Sequence, residues 1–355
     1  MISVVKFLPN RVQRLYHGGS GIDRLRGLAE PVDSRYPEDW IASCIDGNGR
    51  EFHSIGHGIS KALVDGAQWD FPALLHSHGE ELLGAEHLQR YGETPAVLTK
   101  LLDAAERLPL QVHPTRADAA KYFNSSFGKT EAWIVLATRV INGEEPYLLV
   151  GFNEQLDRER FVQESLAGEY CEGLGMLHKL LVKPGDVVVI YGGLPHAIGS
   201  GVTMVEVMEP SDLVIVPERN CCGRILDDAK RYAGLDGATA MSLFDYTAYS
   251  AAALRQRCCP RPALVATQGA STLRTLIPRA SCGYFAAQEL TLAGSWQLDL
   301  ASERCFRIGI VVDGCVTMGG ESFMPGESFM IPYAATTGDL SGSGRLLFIL
   351  PPDCH

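Results

Sequence analysis

The chain of 355 residues reads as mainly β: two antiparallel jelly-roll barrels with small helical additions. Three observations lead there. Short β-prone runs are punctuated by Pro-Gly and Gly-Gly turns along most of the chain, as in antiparallel double-sheet architectures. The strand-then-long-helix rhythm that builds a parallel sheet is missing. PGESFMIP at 325–332 echoes PGDVVVIY at 184–191, so the last third reads as a second copy of the architecture. The expected division is a larger barrel with helical insertions at 1–255 and a smaller one at 256–355.

Composition bounds the rest. A chain this long exceeds what one hydrophobic core organises, and 46% hydrophobic residues supply two. A formal charge of −11 argues against nucleic-acid and anionic-membrane partners, which reward clustered Lys and Arg. Ten cysteines without a secretory signal are expected to be reduced thiols, and the neighbours Cys221-Cys222 and Cys258-Cys259 are not expected to bridge each other. No Cys-x-x-Cys pair has structural-zinc spacing. No stretch approaches about 18 uninterrupted apolar residues, so a cytoplasmic location is expected.

In order, Phe7 to Tyr16 and Trp40 to Ile45 read as strands, and Gly18 to Gly21 as a turn that lacks the Lys and Ser/Thr of a phosphate-cradling loop. Apolar spacing predicts helices over Pro72 to Gln89 and over Pro95 to Leu108, the latter carrying Lys100. AWIVLATRV and PYLLVGF are strands, and Asp157 caps a helix running to Glu172. HKLLVKPGDVVVIY and VTMVEV are strands flanking a glycine-rich return that carries His196. Gly199-Ser200-Gly201 is followed by a strand where a dinucleotide fingerprint needs a helix, which removes that reading. CCPRPALVATQG reads as a linker into the second barrel, whose counterpart turn PYAATTGDL has no histidine; its expected roles are packing and contacts in a homodimer, without metal.

The informative stretch is LQVHPTRADAAKYFNSSFGKTE, from Leu110 to Glu131. Gln111 and His113 lie two apart in a β-prone setting, so they point to one side of a strand. Glu131 opens the next strand. Imidazole, carboxylate and amide donors suit a borderline divalent ion such as zinc, set against a plain core histidine near a surface glutamate.

LPLQVHP at 108–114, GKTEAW at 128–133, KPGD at 183–186 and GLPHAIGSGVTMVE at 193–206, with PEDWIAS at 37–43, resemble the type I mannose-6-phosphate isomerases of the cupin superfamily. The resemblance spans most of the first 220 residues. It implies one zinc ion per chain held by Gln111, His113, Glu131 and His196, with Lys129, Glu206 and Lys100 around a phosphosugar. Two departures stand out: Pro109 replaces a serine common two residues before the ligand glutamine, and Val216 replaces an arginine, with Arg219 and Arg224 nearby. Lys129 and Glu206 are the candidate catalytic groups, each set against an ordinary solvent-facing charge. Lys100 and Arg219 are the candidate substrate contacts, guanidinium being an apt phosphate donor.

The implied reaction moves a proton between C2 and C1 of mannose 6-phosphate to give fructose 6-phosphate through an enediol. Two other classes fit parts of the pattern. His113, Glu131 and His196 alone form the two-histidine, one-carboxylate set of iron dioxygenases, whereas Gln111 as a fourth ligand crowds the positions dioxygen needs. The missing serine and arginine fit a non-catalytic sugar-binding or regulatory cupin.

Overall fold

The computed structural model describes residues 1–47, 57–168, 173–300 and 304–352, and among them the chain is mainly β. The largest sheet runs from Ala263–Gln268 through Ser271–Ile277, Ala286–Gln297, Asp339–Leu350, Arg307–Met318 and Ser328–Ile331 to Val5–Phe7, Lys61–Val64 and Ala67–Asp70. A six-stranded sheet follows the order Val187–Ile190, Glu131–Thr138, Val202–Met208, Leu98–Ala104, Glu38–Ile41, Arg11–Val12. A three-stranded sheet (His196–Ile198, Tyr147–Phe152, Leu177–Leu181) completes the first barrel.

The six-stranded sheet is buried on both faces, which explains its composition. Along Glu131–Thr138, Ala132 and Ile134 join the apolar cluster shared with Ile308, Ile310 and Ile349 of the large sheet. Trp133 and Val135 join the other cluster, with Leu148, Val150 and Ile198 of the three-stranded sheet. Successive side chains alternate faces, so Glu131 shares the inward face of Trp133. The second barrel encloses its own cluster, including Leu290, Trp296, Phe323, Phe329 and Phe348.

Several expectations hold. Helices occupy Phe71–Leu83 and Ala85–Tyr91, and Asp157 caps Arg158–Ala167 by accepting from the Arg160 amide at 3.0 Å. The end of that expected helix, at 169–172, lies outside the described residues. The two Pro-Gly turns match in detail: Gly185 and Gly326 both take positive φ, 91° and 78°. Asp186 accepts from the Lys183 amide, and Glu327 from the Met324 amide, at 2.9 and 2.8 Å. Every described cysteine is free.

Others are corrected. Pro95 to Leu108 is not a helix: Leu98–Ala104 is a fully buried strand paired with Val202–Met208 on one side and Glu38–Ile41 on the other. A short run covered on both faces loses its period-2 signal, so periodicity cannot tell it from a helix. The Phe7 to Tyr16 strand is two pieces, Val5–Phe7 and Arg11–Val12, broken around Pro9 and assigned to different sheets. Trp40 to Ile45 shifts to Glu38–Ile41, ending where Ala42 turns to φ 53°. The glycine turn opens a helix, Ser20–Leu25. The expected linker contains the edge strand Ala263–Gln268. The N-terminal strand Val5–Phe7 pairs with Ser328–Ile331 near the other end of the chain.

Candidate metal centre and cavity

The inward face of the six-stranded sheet builds the site by register. Glu206 stands opposite Lys100 on one side and Trp133 on the other, and Lys100 stands opposite Trp40. Gln111 sits not in a long strand but in a bridge to His196, each amide donating to the other's carbonyl at 2.9 Å. That bridge brings the return turn onto the Leu110 segment. Gly128 lets GKTE pass close by: a Cβ there would lie 2.7 Å from the Arg116 nitrogen and 2.8 Å from the Pro114 oxygen.

His113, Glu131 and His196 are buried and converge. His113 Nε2 lies 3.1 Å from Glu131 Oε2, His196 Nε2 lies 3.3 Å from Glu131 Oε1, and the two Nε2 atoms are 3.2 Å apart. Each Nδ1 faces a backbone carbonyl, that of Leu213 at 2.9 Å and that of Leu194 at 2.8 Å. Those carbonyls hold the proton on Nδ1 and leave an Nε2 lone pair aimed inward on each ring, the usual arrangement around a metal. Two lone pairs at 3.2 Å repel unless something positive stands between them. Both Glu131 oxygens are buried, and apart from the Lys129 ammonium at 3.1 Å they face the two imidazoles. A tetrahedron with metal bonds of about 2.0–2.1 Å has edges of roughly 3.3 Å, close to all three separations. The donor set therefore fits a small divalent cation.

The electrostatics agree. Burial, aided by the Lys129 charge, pushes the His113 imidazole down to about 4, and burial also lowers His196. Burial opposes ionisation of Glu131, but Lys129 and His113 more than reverse this and hold it well below the usual carboxylate range. The Lys129 ammonium lies 2.8 Å from His113 Nε2 and 3.1 Å from Glu131 Oε2, giving the cluster a positive charge.

Beside this cluster opens a cavity of about 140 Å³ whose lining includes Gln111, Lys129, Lys100 and Glu206. Lys100 is buried and paired with Glu206 at 2.9 Å and Glu38 at 3.5 Å. The solvent-facing alternative is thus removed for Lys129 and Glu206, and Lys100 is buried as well. Arg219 is not brought to this cavity: it pairs with Asp228 at 3.0 Å and packs by Gly168. Arg219 follows the Ile215–Val216 stretch by only three residues, but Glu218 beside it turns inward to Arg107, and Arg219 faces the other way.

Four lining residues escaped the sequence reading: Arg14, Tyr16, Glu38 and Asp212. Arg14 spans Glu38 at 3.1 Å and Asp212 at 3.3 Å. Glu38 also accepts from Tyr16 and Trp40, both at 2.7 Å. Only Glu38 had a signal, inside PEDWIAS. Burial disfavours its charge, but Arg14 and Lys100 outweigh that and lower it to about 2. A depressed carboxylate contributes stability above its unfolded value, and that contribution is lost as pH falls through the folded one. The protein is expected to lose stability as pH drops from about 4.5 to about 2, and Glu38→Gln to show a shallower loss across that window in urea titrations; equal slopes would remove Glu38 from the account.

No family model matches the chain. It is similar to a mannose-6-phosphate isomerase of Streptococcus mutans, 34% identical over 134 residues, covering 37% of this chain and 40% of that protein. The matched stretch thus spans about two fifths of that relative's length. Among solved structures, the mannose 6-phosphate isomerase of Bacillus subtilis shares the fold at a TM-score of 0.72, with 19% identity over 98% of this chain and 99% of that one. A mannose 6-phosphate isomerase described as holo and zinc-bound does so at 0.73, with 17% identity over 99% and 100%. The likeness read from the motifs is present in sequence, and across nearly the whole chain in fold.

Proposed function

We propose that this protein is a zinc-dependent aldose-ketose isomerase that interconverts mannose 6-phosphate and fructose 6-phosphate through an enediol. The observation that carries the reading is the buried, convergent His113, Glu131 and His196 set, opening beside a cavity lined by Gln111, Lys129, Lys100 and Glu206. The solved isomerase described as zinc-bound has the same fold, and the sequence relative is named for the same activity. His113, Glu131 and His196 would hold the ion, and the Gln111 amide oxygen would supply a fourth donor. Zinc bound there supplies Lewis-acid polarisation of the sugar oxygens on C1 and C2.

The proton is moved by the protein. Three carboxylates line the cavity, and their bonding separates them. Glu38 is engaged by Arg14, Lys100, Tyr16 and Trp40, and Asp212 by both terminal nitrogens of Arg14. Glu206 accepts only from Lys100 and, at 3.3 Å, from Trp133, which leaves lone pairs toward the sugar. Glu206 is assigned as the group that takes the proton from C2 and returns it to C1. Lys129 donates to the oxygen on which charge develops. General-base transfer contributes about 10²- to 10⁴-fold, so Glu206→Gln should lower kcat by that order while zinc content stays intact.

One observation favours a second reading of the substrate. Arg14, Lys100 and Lys129 are each already paired with a carboxylate, so among the described residues the lining holds no uncommitted cation for a phosphate dianion. An unphosphorylated aldose fits that balance. Coupled assays with mannose 6-phosphate and with mannose separate the two. Fructose 6-phosphate formation that is lost on chelation and restored by zinc supports the first reading; turnover of mannose alone supports the second, and a fully zinc-loaded protein that turns over neither removes both.

A further inference from the structure

The hairpin formed by Asn220–Cys221 and Arg224–Ile225 lies outside the catalytic cavity and carries two consecutive cysteines. Cys222 is in the left-handed region at φ 52° and Gly223 follows at φ 67°, so the turn folds the Cys222 side chain back beside Cys221. The sulfurs are 3.6 Å apart, and both approach the carbonyl oxygen of Arg107, at 3.9 and 3.4 Å. That carbonyl is itself fixed, because Arg107 makes two 2.8 Å bonds to Glu218, which also accepts from the Leu110 amide. Both thiols are partly exposed.

We infer that Cys221 and Cys222 form a chelating dithiol site for a single soft, thiophilic centre of the trivalent arsenical class. Sulfurs at 3.6 Å bridged by one atom with bonds of about 2.3 Å subtend roughly 100°, which suits a pyramidal or tetrahedral centre. A disulfide suits the pair less well: it needs sulfurs at about 2.05 Å and Cα atoms at least ~4.4 Å apart, whereas consecutive Cα atoms lie about 3.8 Å apart. A metal ion with three or four protein ligands is also disfavoured. Among the described residues, the only group of three or more potential ligand side chains is the His113 cluster. An arsenical completes its coordination with its own substituent. On binding, two S–H protons leave with the two hydroxyls of the hydrated arsenical as two waters, two As–S bonds replace two As–O bonds, and arsenic keeps its oxidation state. The hydrogen bond between the two thiols lowers Cys221 below its ordinary value and, with burial, raises Cys222, so Cys221 is the thiol that attacks first.

The test treats the full chain with one equivalent of phenylarsine oxide, washes with excess monothiol, and reads intact mass. Chelates survive monothiol and single-thiol adducts do not, so one retained adduct per chain is expected. Retention should vanish in Cys221→Ser and in Cys222→Ser and persist in Cys259→Ser, which breaks the other adjacent pair. No retention by the wild-type chain, or retention at the wild-type level in either Cys221→Ser or Cys222→Ser, overturns the assignment. Unchanged melting temperatures exclude misfolding as the cause of any loss.

Discussion

Replacing His113 with alanine is expected to abolish zinc binding and isomerase activity together. The substitution removes one of three inward donors, and the alanine has no lone pair to set beside those of Glu131 and His196. Lewis-acid stabilisation by a metal is worth several kcal/mol and each 1.36 kcal/mol is tenfold in rate, so kcat/KM should fall by on the order of 10³-fold or more. Zinc content, measured by atomic absorption on dialysed protein, should drop from one per chain to a small fraction. Activity restored by millimolar zinc would mean affinity alone was lost. A variant that kept both metal and rate would show that the convergence of His113, Glu131 and His196 has another purpose.

The second large effect is on stability. Lys100 is buried with its ammonium between Glu206 and Glu38, and those neighbours raise its pKa against the opposing pull of burial. Lys100→Met keeps the stem and removes the charge, leaving the buried Glu206 carboxylate without its cation while Glu38 keeps Arg14. Breaking a buried pair in this way costs about 3–5 kcal/mol, because the stranded charge has no water to turn to. Urea titrations at neutral pH should show an unfolding free energy lowered by that amount, and the deficit should narrow on acidification, which neutralises carboxylates. A loss under about 1 kcal/mol would mean that water already reaches the group. Activity should fall as well, since Lys100 lines the cavity and holds Glu206 at 2.9 Å.

Much of the candidate centre was legible along the chain because its residues sit in short motifs with local geometry. Gln111 and His113 are two apart; Glu131 opens a strand; His196 follows a glycine turn. The paired Pro-Gly turns announced the second barrel for the same reason: a turn is specified by two or three adjacent residues. Tertiary structure alone decided the rest. Leu98–Ala104 became a strand because sheets cover both its faces, a condition no seven-residue window contains. Arg14 and Asp212 face each other across 198 residues, and only the stacking of sheets brings them together. Burial turned Lys100, Lys129 and Glu206 from ordinary charges into cavity-lining groups, and it left Arg219 on an outer pair with Asp228. The sequence by itself determined which atoms are available as metal donors, since donor chemistry belongs to the side chain. Which charges neutralise one another around the cavity was decided by the fold, because electrostatic pairing depends on distance and exclusion of water.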